Sequence, residues 1–388
     1  MQLGGLAVAC IVVLLAACGP STGGSPAATP TPVPASMESL LPYYGSYAMA
    51  GGDTVVIARL GWFFDLGDAA YRTIYAGGSP GRFSIGRRFL EPLPKFADLA
   101  FAGDQVTIYQ GGTSWSGRRI ASPRSDVTIP SAGATLAATI TRPLSAGPHP
   151  GLVVVHGAEP GQRYFYDVWV GVYVGLGFEV LSYDKRGNGS STGTYPGEFP
   201  TDAALKIYAD DAAAALAFLA RQPGVDGTHV GFHGGSQGGW TVPLAMARHG
   251  GAAFAVLVSA PATTVDQTDA WAAFSGGGTS MPVESNDQML AEVRGTHSGY
   301  DPAPALRVLD VPALWLLGVN DRTVPTTVCV EILTAMHKPN FTIHLLPTGH
   351  ALLVNATGLL ADDDRSPGLA ADLVPTLRSW LAGWLVRY

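Results

Sequence analysis

The sequence predicts an α/β protein, with a mostly parallel β-sheet covered by helices on both faces and a small β-rich module before it. Three observations support this prediction. From residue 126 onward, short apolar runs alternate with longer helical patterns, which is typical of βαβ crossovers. Residues 37–122 instead contain short β-type runs between glycine-rich turns. The 388 residues, 47% of them apolar, are enough to bury a large core.

The individual elements follow from local patterns of apolar and turn residues. In the β-rich module, strands are expected at residues 54–60, 71–75 and 105–110. Residues 126–130 and 135–142 indicate a hairpin at the sheet edge. The further strands of an eight-stranded type of sheet are expected at residues 151–155, 178–183, 228–233, 254–259, 313–317 and 341–346. Helices are expected at residues 164–176, 204–221, 240–249, 324–337 and 370–386.

The N-terminal segment, residues 1–18, has the character of a signal peptide. Its apolar run is too short for a membrane span, and it ends in Leu-Ala-Ala-Cys at Cys18. This string resembles the bacterial lipobox, which implies a lipid on Cys18, export, and attachment to a membrane surface. Residues 19–36 contain only Gly, Pro, Ser, Thr, Ala and Val, so we expect an extended linker. An uncleaved anchor and plain secretion stay open as alternatives.

The charge and the cysteine content argue against a nucleic-acid partner and against an internal disulfide. The net charge is −7 and no run of Lys or Arg occurs, which argues against a nucleic-acid partner. Beyond the N-terminal segment the only cysteine is Cys329, so no internal disulfide is expected there. No metal-ligand spacing surrounds Cys329, and we interpret it as a small core residue. The sequence does not predict the oligomeric state.

A Gly-x-Ser-x-Gly motif, which can mark a nucleophilic serine, occurs more than once in this glycine-rich chain. The chemistry requires the serine on a tight turn between a strand and a helix. The match at residues 234–238 follows the expected strand 228–233 and precedes the expected helix 240–249. The match around Ser191 has loop-type sequence on both sides. The context therefore selects Ser236 as the nucleophile.

A serine nucleophile needs a general base and an acid that orients the base. His350 follows the expected strand 341–346, so it should lie at the carboxyl edge of the sheet, where the nucleophile also lies. Asp321 follows the expected strand 313–317 at the same edge, and Asp301 in a loop is the alternative acid. The order Ser236, Asp321, His350 is the chain order of one known type of triad.

The negative oxygen that forms during acyl transfer must meet preorganised N–H donors. The first expected donor is the backbone N–H of Gln237, directly after the nucleophile. The second should come from the loop after the strand at 151–155, which reads His-Gly-Ala. Ala158 is the predicted donor there, with Gly157 as the alternative.

Four motifs together resemble bacterial α/β-hydrolases of the esterase and acyl-peptidase-like branch. They are Val-His-Gly at 155–157, Ser-Tyr-Asp-Lys-Arg-Gly-Asn-Gly-Ser at 182–190, Gly-Gly-Ser-Gln-Gly-Gly-Trp at 234–240 and Gly-Val-Asn-Asp-Arg-Thr-Val-Pro at 318–325. The resemblance implies a catalytic domain over residues 123–388 with the α/β-hydrolase fold. It implies an acyl-enzyme mechanism with no metal and no organic cofactor, and it implies structural roles for Asp184 and Arg186.

The substrate is expected to be a small-molecule ester or other acyl compound. Aromatic residues near the motifs are candidate pocket residues, and a short Gly- and Ser-rich insertion, 262–300, stands where a larger cap could lie. These candidates are Tyr164, Phe165, Tyr166, Trp240, Trp271 and Phe274. A carboxylesterase is the first hypothesis, a peptidase or thioesterase with the same triad the second. An inactive tethered binding protein is the third.

Overall fold

The computed structural model describes residues 31–67 and 69–384. Cys18, and with it the expected signal peptide and lipidation site, lies outside the described residues. Within the described residues, no helix is both long enough and apolar enough to cross a membrane. The described chain forms a β-barrel followed by a mixed α/β sheet.

The β-rich module is a closed antiparallel barrel in which each strand pairs with the next and the last pairs with the first. A short helix, α1 (Met37–Leu40), precedes it. The strands are β1 (Gly45–Met49), β2 (Thr54–Ala58), β3 (Trp62–Asp65), β4 (Tyr71–Ala76), β5 (Arg82–Gly86), β6 (Lys95–Ala102), β7 (Gln105–Gln110) and β8 (Thr113–Arg119). Closure leaves no unpaired strand edge. Inward-facing side chains such as Tyr47, Phe63, Ile74 and Leu99 fill the interior.

The second unit is an eight-stranded sheet in the order β16-β15-β14-β13-β11-β12-β10-β9. Its strands are β9 (Arg124–Ser131), β10 (Ala134–Thr141), β11 (His149–Val155), β12 (Glu179–Tyr183), β13 (Val225–Gly235), β14 (Ala255–Val258), β15 (Ala313–Gly318) and β16 (Phe341–Leu346). β9 and β10 form the expected antiparallel hairpin at one edge, and the strands from β12 to β16 run parallel. The chain changes direction across the sheet between β11 and β13, and a crevice opens at such a switch point.

Helices cover both faces of this sheet. They are α2 (Asp167–Gly175), α3 (Asp202–Leu219), α4 (Gly238–His249), α5 (Val265–Phe274), α6 (Asn286–Gly295), α7 (Ala303–Val308), α8 (Thr326–Ala335), α9 (Leu360–Asp363) and α10 (Leu373–Leu381), with 3-10 turns at Arg163–Tyr166 and Gly276–Gly278. Side chains alternate between faces along a strand. Leu152 and Val154 of β11 therefore join the core beneath α2 and α10, while Val153 and Val155 join the core beneath α3 and α4.

The structure confirms the predicted fold class, a β-rich module followed by an α/β-hydrolase fold. Differences occur where local patterns are weak. The expected helix at 164–176 begins as a 3-10 turn and becomes α2 only at Asp167. The insertion holds two helices, α5 and α6, each started by a capping box at Thr264 and Ser285. Several barrel strands were not predicted, because segments such as Thr113–Arg119 are polar and lack alternation.

The barrel packs directly on α2, which is apolar on all sides because it lies between the barrel and the sheet. A Cβ added at Gly171 would lie 2.8 Å from Val56 Cγ1, so the helix and β2 approach closely. Arg59 of the barrel binds Asp167 at the start of α2 through two side-chain hydrogen bonds of 2.7 Å. The outer face of the barrel and one face of the sheet therefore share a core, which is separate from the barrel interior.

Candidate active site

Ser236 lies on the tight turn between β13 and α4. Its φ is +50°, a strained backbone conformation for a residue with a side chain and the one expected at this type of turn. A Cβ at Gly234 would lie 2.8 Å from Val242 Cγ2, so glycine is required there. A Cβ at Gly238 would meet only ordinary contacts, whereas one at Gly239 would lie 2.7 Å from Ala260 Cβ. The tight positions are thus two before and three after the serine.

The three residues selected from the sequence form one chain of hydrogen bonds. His350 Nε2 lies 3.2 Å from Ser236 Oγ, and His350 Nδ1 lies 2.8 Å from Asp321 Oδ2. The other carboxylate oxygen, Asp321 Oδ1, accepts hydrogen bonds from the backbone N–H groups of Thr323 at 2.7 Å and Val324 at 2.8 Å. The side chain of Asp321 is completely buried. Two backbone donors therefore fix its orientation toward the histidine.

The surroundings of His350 raise the pKa of its imidazole. Burial lowers this pKa, but the charge of Asp321 and the hydrogen bond to it raise it by more, and the charge of Asp363 adds to the increase. The backbone is held as well, since Ser259 Oγ donates to His350 O at 2.7 Å. The site therefore stabilises the imidazolium that proton transfer from Ser236 would produce.

The loop after β11 packs against Ser236. A Cβ at Gly157 would lie 3.4 Å from Ser236 Cβ. The backbone N–H of Gly157 donates to Tyr166 Oη at 2.9 Å. Among the described residues, the N–H groups of Ala158 and Gln237 have no acceptor. The geometry thus favours Ala158 over Gly157 as the second donor, and both donor roles stay predictions.

Buried charged residues surround this loop, and the sequence analysis did not identify them. His156 contacts Tyr183 O through Nε2 at 2.5 Å and Glu159 Oε1 through Nδ1 at 3.2 Å. Burial raises the pKa of Glu159, but its polar neighbours lower this pKa by more, to about 2. These neighbours are His156, through a hydrogen bond and its charge, Lys185, through its charge, and Tyr166, through a hydrogen bond from its hydroxyl. Glu159 is therefore ionised at neutral pH. The sequence signal for Glu159 is its position two residues after the Val-His-Gly motif.

The Gly-x-Ser-x-Gly match around Ser191 lies in a loop that is held by structural hydrogen bonds and an ion pair. Ser191 Oγ donates to Asp184 O at 2.6 Å and accepts from Ala137 N at 2.8 Å. Asp184 Oδ2 accepts from Ser190 N at 2.9 Å, and Arg186 forms a buried ion pair with Asp211 at 2.5 Å. These contacts tie the loop after β12 to the neighbouring strands and α3.

The candidate pocket residues differ in exposure. Tyr164 and Phe165 are partly exposed on the 3-10 turn. Trp240 is only 4% exposed and its N–H donates to Thr263 O. Trp271 is 9% exposed and its N–H donates to Asp321 O. The remaining two, Tyr166 and Phe274, are half-buried, the first bound to the loop after β11 and the second packed near Trp271. Their contact with substrate stays a prediction.

Comparisons with known proteins agree with this fold. Residues 166–350 match Peptidase_S9, the prolyl oligopeptidase family. This segment is less than half of the chain, but it includes Ser236, Asp321 and His350. A search of curated proteins finds no match. Within the described residues, no group of His, Cys, Asp or Glu side chains is placed to hold a metal ion.

Solved structures share the fold at low sequence identity. The Pyrococcus furiosus esterase Pf2001 is 15% identical with a TM-score of 0.51, and the alignment covers 69% of this chain and 93% of that one. A second crystal form of that esterase is 16% identical with a TM-score of 0.50, covering 69% and 95%. Fold, site geometry and family match together define the class: this protein is an enzyme, a serine hydrolase with the α/β-hydrolase fold.

Proposed function

We propose that the protein hydrolyses small to medium apolar carboxylic esters through an acyl-enzyme on Ser236. The observation that carries this proposal is the hydrogen-bonded chain from Ser236 Oγ through the two nitrogens of His350 to Asp321, at 3.2 and 2.8 Å. Such a chain supplies what a serine hydroxyl lacks, namely a base in contact with it and a group that keeps that base in the right tautomer.

In the first half-reaction, Ser236 Oγ attacks the ester carbonyl carbon while His350 Nε2 takes the hydroxyl proton. The carbonyl π electrons move to the oxygen, which the N–H groups of Ala158 and Gln237 stabilise. The carbon–oxygen bond to the alcohol then breaks, and His350 gives its proton to the leaving alkoxide. In the second half-reaction, water attacks the acyl carbon and gives a proton to His350. The bond between the acyl carbon and Ser236 Oγ then breaks, Ser236 Oγ takes the proton back from His350, and the acid leaves.

The partly exposed aromatic rings of Tyr164 and Phe165 support an apolar acyl group. They lie on the turn after the predicted oxyanion loop, with ring centroids 5.0 Å apart. Apolar surface on this turn favours acyl chains that bury it.

A peptidase is the second candidate, and the match to the prolyl oligopeptidase family favours it. A thioesterase would use the same triad. A kinetic panel of p-nitrophenyl esters, aminoacyl anilides and acyl-CoA thioesters, each compared by kcat/KM, separates the three. We expect the short p-nitrophenyl esters to give the highest values. Higher values for an anilide would replace the esterase proposal with the peptidase.

A fluorophosphonate probe tests whether the site is catalytically competent, because it reacts only with an activated serine. We expect labelling that maps to the peptide containing Ser236. An unlabelled, folded protein would favour an inactive binding role and overturn the proposal.

We further propose that the enzyme is exported and attached to a bacterial membrane by a lipid on Cys18. The Leu-Ala-Ala-Cys string and the Pro-, Ser- and Thr-rich linker at 19–36 support this. When the full chain is expressed in a bacterium, we expect the wild type to carry a lipid and to lie in the membrane fraction. Cys18→Ser should lack the lipid and leave the membrane fraction. An unchanged distribution, with no lipid on the wild type, would contradict the anchor.

A further inference from the structure

Lys185 is the second residue after β12 and places a buried ammonium beneath the loop after β11. Its side chain is almost completely buried, although lysine is rarely found inside proteins. Lys185 Nζ donates to Gly157 O at 2.7 Å, and it lies 3.4 Å from Ala158 O and 3.3 Å from Glu159 O. It also donates to Gln237 Oε1 at 3.1 Å. One ammonium therefore contacts both segments that carry the expected oxyanion donors.

The contact with Gly157 O determines the direction of the Ala158 N–H. These two groups belong to the same planar peptide unit, and among the described residues the cis peptides lie elsewhere, at Leu93-Pro94 and Gly147-Pro148. In a trans peptide the C=O and N–H point in opposite directions. Because Gly157 O points toward Lys185, the N–H of Ala158 points away from Lys185.

Other groups hold the same arrangement from the side. Tyr195 Oη donates to Ala158 O at 2.8 Å, which fixes the next peptide unit of the loop. The ammonium of Lys185 also lies 4.3 Å from the centre of the Tyr208 ring, where the face of the ring attracts a cation. The negative charge of Glu159 offsets the positive charge nearby. A buried ammonium is unfavourable unless it is bound in this way.

We propose that Lys185 is the positioning residue of the oxyanion hole, an inference that rests on the proposed function. It orients the N–H of Ala158, fixes the side chain of Gln237, and brings positive charge toward the oxygen that becomes negative. These effects act mainly in the transition state, so they raise kcat and have little influence on ground-state binding of the ester.

The test compares Lys185→Met with Lys206→Met, an exposed lysine on α3, in the full chain. Methionine keeps the length and removes the charge and donors. We expect kcat for a p-nitrophenyl ester to fall roughly 100-fold, as when an oxyanion donor is lost, with little change in KM. The affinity for an alkyl boronic acid, which forms a tetrahedral adduct on Ser236, should fall in parallel. Lys206→Met should behave as the wild type.

The outcomes separate the two proposals. An inactive wild type would refute the proposed function itself. An active wild type with unchanged kcat in Lys185→Met would refute only the role of Lys185. Where Lys185→Met melts below the assay temperature, Tyr195→Phe removes the second hydrogen bond to the loop. In Tyr195→Phe, a fall in kcat and in boronate affinity that is smaller than 100-fold supports the proposal, and unchanged values overturn it.

An independent observation concerns the barrel. The loop that carries His350 is connected to the barrel by a ladder of main-chain contacts. Thr348 pairs with Val354, and Val354 N donates to Gly368 O at 2.9 Å. Gly368 in turn pairs with Ala70, next to β4 of the barrel. Three steps of backbone pairing thus link the barrel to the residues beside His350.

Further contacts strengthen this ladder. Leu369 N donates to Ala69 O at 3.0 Å, and Leu90 N donates to Asp364 O at 2.9 Å. The side chains of Leu353 and Leu369 are buried in the same cluster as barrel residues such as Phe64. The segment between α9 and α10 is therefore held on one side by the barrel and on the other by the His350 loop.

We infer that the barrel acts as a support that holds His350 within reach of Ser236. The decisive contact is at Gly368, where φ is +152° and an added Cβ would lie 2.4 Å from Ala69 O. Any side chain at this position must push the segment off the barrel.

Gly368→Ala tests this inference, with Gly51→Ala as the control because a Cβ at Gly51 meets no atom within 4 Å. In Gly368→Ala we expect kcat to fall about tenfold below its melting temperature, because displacing a positioned base by about 1 Å is enough to slow the reaction. Amide hydrogen exchange at residues 347–355 should become faster. Unchanged kcat together with faster exchange confined to residues 364–369 would overturn the supporting role.

Discussion

Ser236→Ala should lower kcat for a p-nitrophenyl ester by roughly 10⁶-fold, the loss seen when a serine nucleophile is removed from a triad. The reason is chemical, because alanine has no atom that can form the acyl bond. The fold should be unaffected, since within residues 31–67 and 69–384 the Ser236 hydroxyl has a single hydrogen-bond partner, His350 Nε2 at 3.2 Å. The measurement is turnover together with the melting temperature.

Ser191→Ala is the matched control, because it removes the serine of another Gly-x-Ser-x-Gly motif. Its hydroxyl has two structural hydrogen bonds, to Asp184 O and from Ala137 N, so we expect a lower melting temperature. Below that temperature kcat should stay near the wild-type value. Turnover near the wild-type rate in Ser236→Ala, or complete loss in a folded Ser191→Ala, would place the nucleophile elsewhere.

Asp321→Asn should lower kcat by about 10⁴-fold although the shape of the side chain is preserved. The backbone N–H groups of Thr323 and Val324 donate to Asp321 Oδ1, so the amide oxygen of asparagine should stay there. Its NH₂ group then faces His350 Nδ1, which must become an acceptor. The proton moves to Nε2, and the histidine can no longer accept the proton of Ser236.

The pH profile gives a second readout of Asp321→Asn. Activity requires neutral His350, so kcat/KM rises with pH as the imidazolium loses its proton. Burial lowers the pKa of His350, while the charge of Asp321 and its hydrogen bond raise it overall. Without that charge, the acidic limb of the remaining activity should move to lower pH. A limb at the wild-type position would show that Asp321 does not control the histidine.

The position of Ser236 could be predicted because its signal is local. A strand, a tight turn and a helix lie within a short stretch of chain, and Gly234 leaves no room for a side chain. Asp321 and His350 could be predicted for a different reason. Both follow strands of a parallel sheet, and the carboxyl ends of such strands meet at one edge. The sequence order and the sheet rule together bring the three residues close.

The closure of the barrel and the residue that supports the loop after β11 could not be predicted in the same way. Closure of the barrel depends on the pairing of β1 with β8, and neither strand has a marked alternating pattern. The role of Lys185 depends on where its long side chain ends, between two loops that are distant in sequence. The family resemblance implies structural roles for Asp184 and Arg186 on either side of it, but it implies no role for Lys185.

The sequence by itself therefore determined the class of reaction, because a nucleophile, a base and an acid need particular residue types at particular places in a parallel sheet. Only the tertiary structure decided what positions them. The barrel is connected to the His350 loop by hydrogen bonds of backbone N–H and C=O groups, at Ala69, Leu90 and Gly368. Lys185 binds backbone oxygens of the loop after β11. Every residue type offers such backbone groups, so these contacts leave no pattern in the sequence.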